Sequence, residues 1–202
     1  MKWFKCLFPF IFLTALAVGA VFLFGNFLRI DRSHLNPVPS IEEIRLEDFS
    51  YSPEDGYTFL PAPFGTPEDE MVSLFGYNIS QNTTSFGAPT FDLLGLPAKY
   101  DSELTPGSIL HSLTFSLSSN SCSVKEIEAA YAEILAHFEA AFGPADETER
   151  KENVLGPLEM HTWRAEDHSN YLRLEYSAPS QRSKNASLGI HLWAPINYSE
   201  NK

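Results

Sequence analysis

Residues 166–170, Glu-Asp-His-Ser-Asn, hold in one stretch the side chains from which a hydrolytic triad is built. A nucleophilic serine needs its histidine and carboxylate to converge from separate elements, each hydrogen-bonding the next. Consecutive residues of a tight turn point in different directions, and no Gly-x-Ser-x-Gly elbow occurs in the chain. The stretch therefore reads as a polar hairpin turn. The six histidines are His34, His111, His137, His161, His168 and His191, and none shows His-Glu-x-x-His or His-x-His spacing. With only two cysteines, Cys6 and Cys122, and no paired Cys motif, the sequence predicts no zinc site. His161 and His191 fall in separate candidate strands and are the one pair that could meet across a sheet. His111 lies on the apolar side of an alternating run and reads as a core or edge residue. Carboxylates are plentiful, yet no calcium-loop pattern is present, and glycoside chemistry needs two of them facing each other across a cleft. The sequence thus supplies no catalytic, cofactor-binding or metal-ligating residue.

Aromatic side chains offer a different chemistry. Trp163, Tyr171 and Trp193 fall in three consecutive candidate strands and form a candidate surface for a sugar or a peptide. Their competing role is core packing, the commoner use of sheet aromatics. At "PFGTPEDE", residues 63–70, a glycine precedes a helix start, the arrangement that binds anions when backbone N–H groups are free. Here Glu68, Asp69 and Glu70 already occupy that end, and neither Gly-x-Gly-x-x-Gly nor a Walker Gly-Lys-Ser/Thr pattern is present. The glycine is punctuation. Thr66 is the expected N-cap and Pro67 the first helical residue, with Met71, Leu74 and Phe75 as the apolar face and Gly76 as the stop.

The elements that must carry these residues follow from periodicity. "SVKEIEAAYAEILAHFEAAFGP" has a Ser123–Glu126 capping box, then Val124, Ile127, Tyr131, Ile134, Leu135, Phe138 and Phe142 at helical spacing, and Gly143-Pro144 as the stop. Residues 92–118 read as two strands, "DLLGLPAKY" and "SILHSLTFSLS", joined by a turn at "DSELTPG". A polar loop, "ADETERKENVLG", follows the helix. The strands "LEMHTWRA", "YLRLEYSA" and "ASLGIHLWA" then form an antiparallel meander through turns at "EDHSN" and "PSQRSKN". In the middle strand Leu172, Leu174 and Tyr176 oppose Tyr171, Arg173 and Glu175, so one side of the sheet meets water. Residues 41–65 read as short extended pieces, with Ile44 and Leu46 alternating. The predicted fold is α+β: an antiparallel sheet with one long and one short helix packed on it.

The N-terminus has another character. Residues 7–28 carry no charge and, at 1.5 Å per residue, span about 33 Å as a helix, the thickness of a bilayer core. A cleaved signal peptide with its cut near Val18-Gly19-Ala20 is the alternative, but the apolar run continues past that point. The sequence predicts an uncleaved single-pass anchor at 7–28, with a short cytoplasmic head at 1–6, a linker at 29–40, an extracytoplasmic domain at 41–198 and a tail at 199–202. Lys2 and Lys5 before the run balance Arg29 and Arg32 after it, so orientation rests on the shortness of the head. The 202 residues carry a formal net charge of −12, and no basic patch exists, which argues against nucleic acid as a partner. Cys122 is expected to be a buried structural thiol. The sequons at Asn78, Asn82, Asn185 and Asn197 matter only where the cell glycosylates.

Taken in order, Phe64–Glu70, Gly95–Tyr100, Phe142–Pro144 and Trp163 give the chain a resemblance to uncharacterised bacterial envelope proteins, anchored or lipidated, that carry an α+β domain. The resemblance covers about residues 57–195. Cys6 lies before the apolar run rather than after it, which departs from the lipidated version. The resemblance implies an envelope location and no known reaction. The expected function is non-enzymatic binding of a protein or wall component by a membrane-anchored domain. The alternatives are an envelope hydrolase using carboxylates in a cleft, or a carrier of a small apolar ligand.

Overall fold

The long helix shows most directly how the sequence dictates its structure. In the computed structural model, which describes residues 39–76, 90–152, 156–167, 169–181 and 183–196, it runs from Val124 to Phe142. Ser123 Oγ accepts from Glu126 N (3.3 Å), and Glu126 Oε2 accepts from Ser123 N (2.7 Å), so the capping box closes in both directions. Ile127, Ala130, Ile134 and Phe138 form its buried stripe. Gly143 ends it at φ 84°, a left-handed conformation suited to glycine, and returns its N–H to Glu139 O. The predicted anchor, head and tail lie outside the described residues, as do His34 and His168. Among the described residues no helix is long and apolar enough to cross a membrane.

The protein is α+β, and its described residues form two α-helices and a seven-stranded antiparallel sheet. The strands are β3 (Phe91–Leu93), β4 (Leu96–Leu104), β5 (Leu110–Ser118), β6 (Glu147–Glu152), β7 (Pro157–Arg164), β8 (Tyr171–Ser177) and β9 (Ser187–Trp193). Their order across the sheet is β3-β4-β5-β9-β8-β7-β6. The predicted meander is therefore present as β7-β8-β9, and the other edge of β9 pairs with β5, which is not its sequence neighbour. A separate hairpin, β1 (Phe49–Ser52) with β2 (Gly56–Phe59), realises the short extended pieces expected before residue 65. Ile44 and Leu46 are both buried, as their alternation suggested.

Three local readings are corrected. "DLLGLPAKY" is itself a hairpin rather than one strand. Leu94 and Gly95 turn at φ 57° and 78°, and Asp92 Oδ1 accepts from Gly95 N at 2.7 Å, so the aspartate closes the turn. β4 then continues through Asp101–Leu104, and the true turn lies at Thr105–Ser108. Secondly, the polar segment after the long helix contains β6. An edge strand needs only backbone pairing with β7, and its charged side chains stay in water, so no apolar alternation announces it. Thirdly, Thr66 does not cap the short helix α1 (Glu68–Phe75). Its hydroxyl donates to Pro63 O at 2.6 Å, and its backbone is held against β5: Gly65 N donates to Leu110 O, and Leu110 N to Thr66 O. That bridging makes Pro67 the residue before the helix. Gly65 adopts φ 92° within this strap and is punctuation, as read.

The long helix, α2 (Val124–Phe142), joins α1 and the β1–β2 hairpin on one side of the sheet. Phe49, Phe59, Phe75, Phe91, Phe115 and Phe138 meet there ring to ring, with Phe49 5.4 Å from Phe138 and Phe59 5.1 Å from Phe115. Burying each such side chain contributes about 1.5–3 kcal/mol before entropy is counted. Asn170, at the end of the turn before β8, ties the hairpin to the sheet. Its Oδ1 accepts from Tyr57 N (2.8 Å) and its Nδ2 donates to Asp55 O (2.7 Å). The polar turn predicted at 166–170 thus also supplies a buried tether. Cys122 is buried, and its thiol pKa is raised, first by burial and then by Glu126.

Candidate binding surface

Strand register decides which side each candidate aromatic faces. Trp163 pairs with Leu172 and Leu172 with Leu192, on the side that carries the helices. Arg164 pairs with Tyr171 and Tyr171 with Trp193, on the opposite side. Trp163 is 1% exposed, lies 5.7 Å edge-on to Phe138 and donates its indole N–H to Gly143 O at 2.9 Å. It locks the end of α2 to the sheet. Tyr171 and Trp193 are half-buried neighbours on the side that carries none of the described helices, with ring centroids 5.4 Å apart and planes 22° from parallel. The three aromatics therefore divide: one is core, and two form a platform.

The platform has cationic borders that the sequence reading did not single out. Arg173 stands 5.0 Å and Arg164 5.8 Å from the centre of the Tyr171 ring, within cation–π range. Arg164 also donates to Glu147 Oε2 at 2.9 Å, and Arg173 Nε donates to Thr162 Oγ1 at 3.1 Å. The next row across the sheet places Arg173 beside His191, whose Nδ1 lies 3.0 Å from Thr114 Oγ1. The His191 ring folds over Gly189, where an added Cβ would come 2.4 Å from Nε2. Burial lowers the His191 pKa; Glu175 works against that shift and Arg173 with it. The alternation in "YLRLEYSA" had already placed Tyr171 and Arg173 together, whereas adding Arg164, Trp193 and His191 requires the pairing register.

His161 and His191 do not meet. His161 opposes Leu174, and Leu174 opposes Ile190, so His161 faces the helices while His191 faces away. His161, itself buried, instead joins a polar group that reaches the surface. Thr148 Oγ1 lies 3.3 Å from Nδ1, and Nε2 lies 3.1 Å from Glu159 Oε1 and 2.9 Å from the Tyr131 hydroxyl. Arg150 completes the set with a 3.0 Å bond to Glu159. Burial opposes charge on Glu159, but hydrogen bonds from Arg150, His161 and Tyr131 outweigh it and hold the carboxyl below its ordinary range. Burial, then Glu159, raise the Tyr131 pKa, so its hydroxyl keeps its proton. This is a satisfied network linking α2 to the sheet. His111 is buried at an irregularity where β4 and β5 shift register, and its Nδ1 has no hydrogen-bond partner.

Among the described residues, every carboxyl with a displaced pKa (Glu126, Glu149 and Glu159) is displaced downwards, the opposite of what a general acid needs. Among the same residues no three His, Cys, Asp or Glu side chains are grouped to hold a metal ion. A cleft of about 340 Å³ opens at the end of α2, between the β1–β2 hairpin and the end of β7. The chain matches no protein-family model, no curated protein and no solved structure.

Proposed function

We propose that this protein is a non-enzymatic, membrane-anchored binding domain, tethered by residues 7–28 with its bulk outside the cytoplasm. It takes an envelope component on the open face of its sheet. One observation carries the reading: Tyr171 and Trp193 stack there with Arg164 and Arg173 beside them, while both described helices and the β1–β2 hairpin pack on the other side. A flat aromatic pair accepts the apolar face of a sugar ring, and guanidinium groups supply donors for its hydroxyls or carboxylates. An anionic wall glycan suits that combination. The apolar run at 7–28 and the resemblance to envelope proteins support the location.

The test is crosslinking in intact cells with a photoreactive residue in place of Tyr171 or Trp193, and at Glu133 on the exposed side of α2 as control. The two platform positions are expected to capture glycan, and the control is not. Equal capture at all three positions, or turnover of a wall glycan by the purified chain, overturns the reading. Recovery of the chain in the soluble fraction, trimmed near residue 20, overturns the tether.

A further inference from the structure

The cleft at the end of α2 has a different chemistry from the platform. Tyr51, Tyr57 and Phe142 wall it, with Trp163 behind them. The Tyr51 and Tyr57 rings lie 4.8 Å apart, and Phe142 meets Tyr57 edge to face at 5.4 Å, so the three rings pack as one group in which Tyr57 is buried and Tyr51 and Phe142 are half-buried at the cleft. The polar lining is acidic. Asp146 and Glu166 are exposed carboxylates on the rim. Asp146 Oδ2 accepts from Arg164 N at 2.7 Å, which fixes the carboxylate in place. The cleft also receives the C-terminal end of a nineteen-residue helix whose last turn has no basic residue, so no cation within that turn offsets the negative end of its dipole, which the Trp163 indole N–H meets only at Gly143 O. Among the described residues Arg164 is the one cation in the lining. Its guanidinium is drawn to Glu147 and to the Tyr171 ring on the other face of the sheet, leaving its backbone and stem at the cleft.

Half-buried aromatic rings beside carboxylates and a helix C-terminus are complementary to a positive charge carried on a carbon skeleton. We infer that this cleft binds a single alkylammonium group, of the size of a lysine side-chain end or a quaternary amine. The volume of about 340 Å³ accommodates such a group and excludes little else of that size, so selectivity comes from charge rather than from shape. Tyr57 reports the same field: its pKa is pushed up to about 12, by burial first and then by Asp146 and Tyr51. The site is separate from the platform and does not depend on the open face binding a glycan.

The experiment uses the full chain in detergent micelles, titrated with choline and with its uncharged isostere 3,3-dimethylbutanol, and followed by NMR shifts of the Tyr51, Tyr57 and Phe142 ring protons. Nα-acetyl-lysine methylamide and its Nε-acetylated form make a second matched pair. Choline and the free lysine amide are expected to bind at least about tenfold more tightly than their neutral counterparts. Asp146→Asn, which keeps an acceptor for Arg164 N, and Glu166→Gln are each expected to weaken the cations about threefold to tenfold. The alcohol's affinity should be unmoved. Equal affinity for choline and the alcohol overturns the inference, as does unchanged choline affinity in both variants. Binding of choline but not the lysine amide retains the site and assigns it to quaternary amines. Shifts confined to Tyr171 and Trp193 would place the cation on the platform and also overturn it.

Discussion

The two faces of the seven-stranded sheet are built from the same strands and do opposite things. On the inner face, Phe115, Leu174 and Ile190 share one row and are all but inaccessible. On the outer face the adjacent row is Thr114, His191 and Arg173, each only half-buried and each with a polar partner or neighbour. Alternation along a strand makes this division possible. The difference shows that residue parity along a strand, and not residue type, decides which aromatic side chains of this sheet are buried. Trp163 and Trp193 are both sheet tryptophans near strand ends, and the parity of one residue sends the first to the core and the second to the surface.

The comparison can be broken most forcefully on the inner face. Phe138→Ala, at a fully buried position contacting Phe49, Phe142 and Trp163, is expected to cost about 3–5 kcal/mol in chemical denaturation. A loss below about 1 kcal/mol would mean that α2 is not docked on this face as described. Asn170→Ala comes next. It leaves Tyr57 N and Asp55 O without their partner and is expected to cost about 2–4 kcal/mol, with faster amide exchange confined to the β1–β2 hairpin. Uniform acceleration across the sheet would contradict a local tether. On the outer face, Trp193→Ala should cost only about 1 kcal/mol in the same denaturation experiment while abolishing the glycan capture proposed for the platform.

The smallest effect is the pH response of His191. Burial holds its pKa below the ordinary value of about 6.5, so as pH falls the unfolded chain takes the proton first. Its stabilising contribution is whole above about pH 6.5 and is lost as pH drops from there towards the folded-state value. The melting temperature of the natural chain should therefore fall more steeply below pH 6.5 than that of His191→Gln, when measured across pH 5–7 in one buffer series. Parallel curves would show that the ring is not sheltered.

Much of this division was legible beforehand. The capping box, the stripe through Ile127, Ile134 and Phe138 and the Gly143 stop specify α2 locally, and the structure reproduces each. The meander strands announce themselves by alternation. β6 did not, because a charged edge strand owes its conformation to β7 rather than to its own residues. Thr66 has the right chemistry for a cap, but its backbone was claimed by Leu110, a partner more than forty residues away in sequence. The platform failed to emerge whole for a related reason. Residue parity within one strand is visible in sequence, while parity between strands is fixed only by register. Asn170 gave no signal at all, since a buried tether and a turn asparagine look alike.

The seam where β5 meets β9 has a kinetic consequence. β3-β4-β5 and β6-β7-β8-β9 are each runs of sequence neighbours that zip through short connections, whereas the seam must first bring Ser118 and Ser187 together across α2 and three intervening strands. Closing so long a loop is an entropic toll that falls at this one juncture of the sheet. Pairing between segments this distant in the chain is the feature of the sheet that slows its maturation.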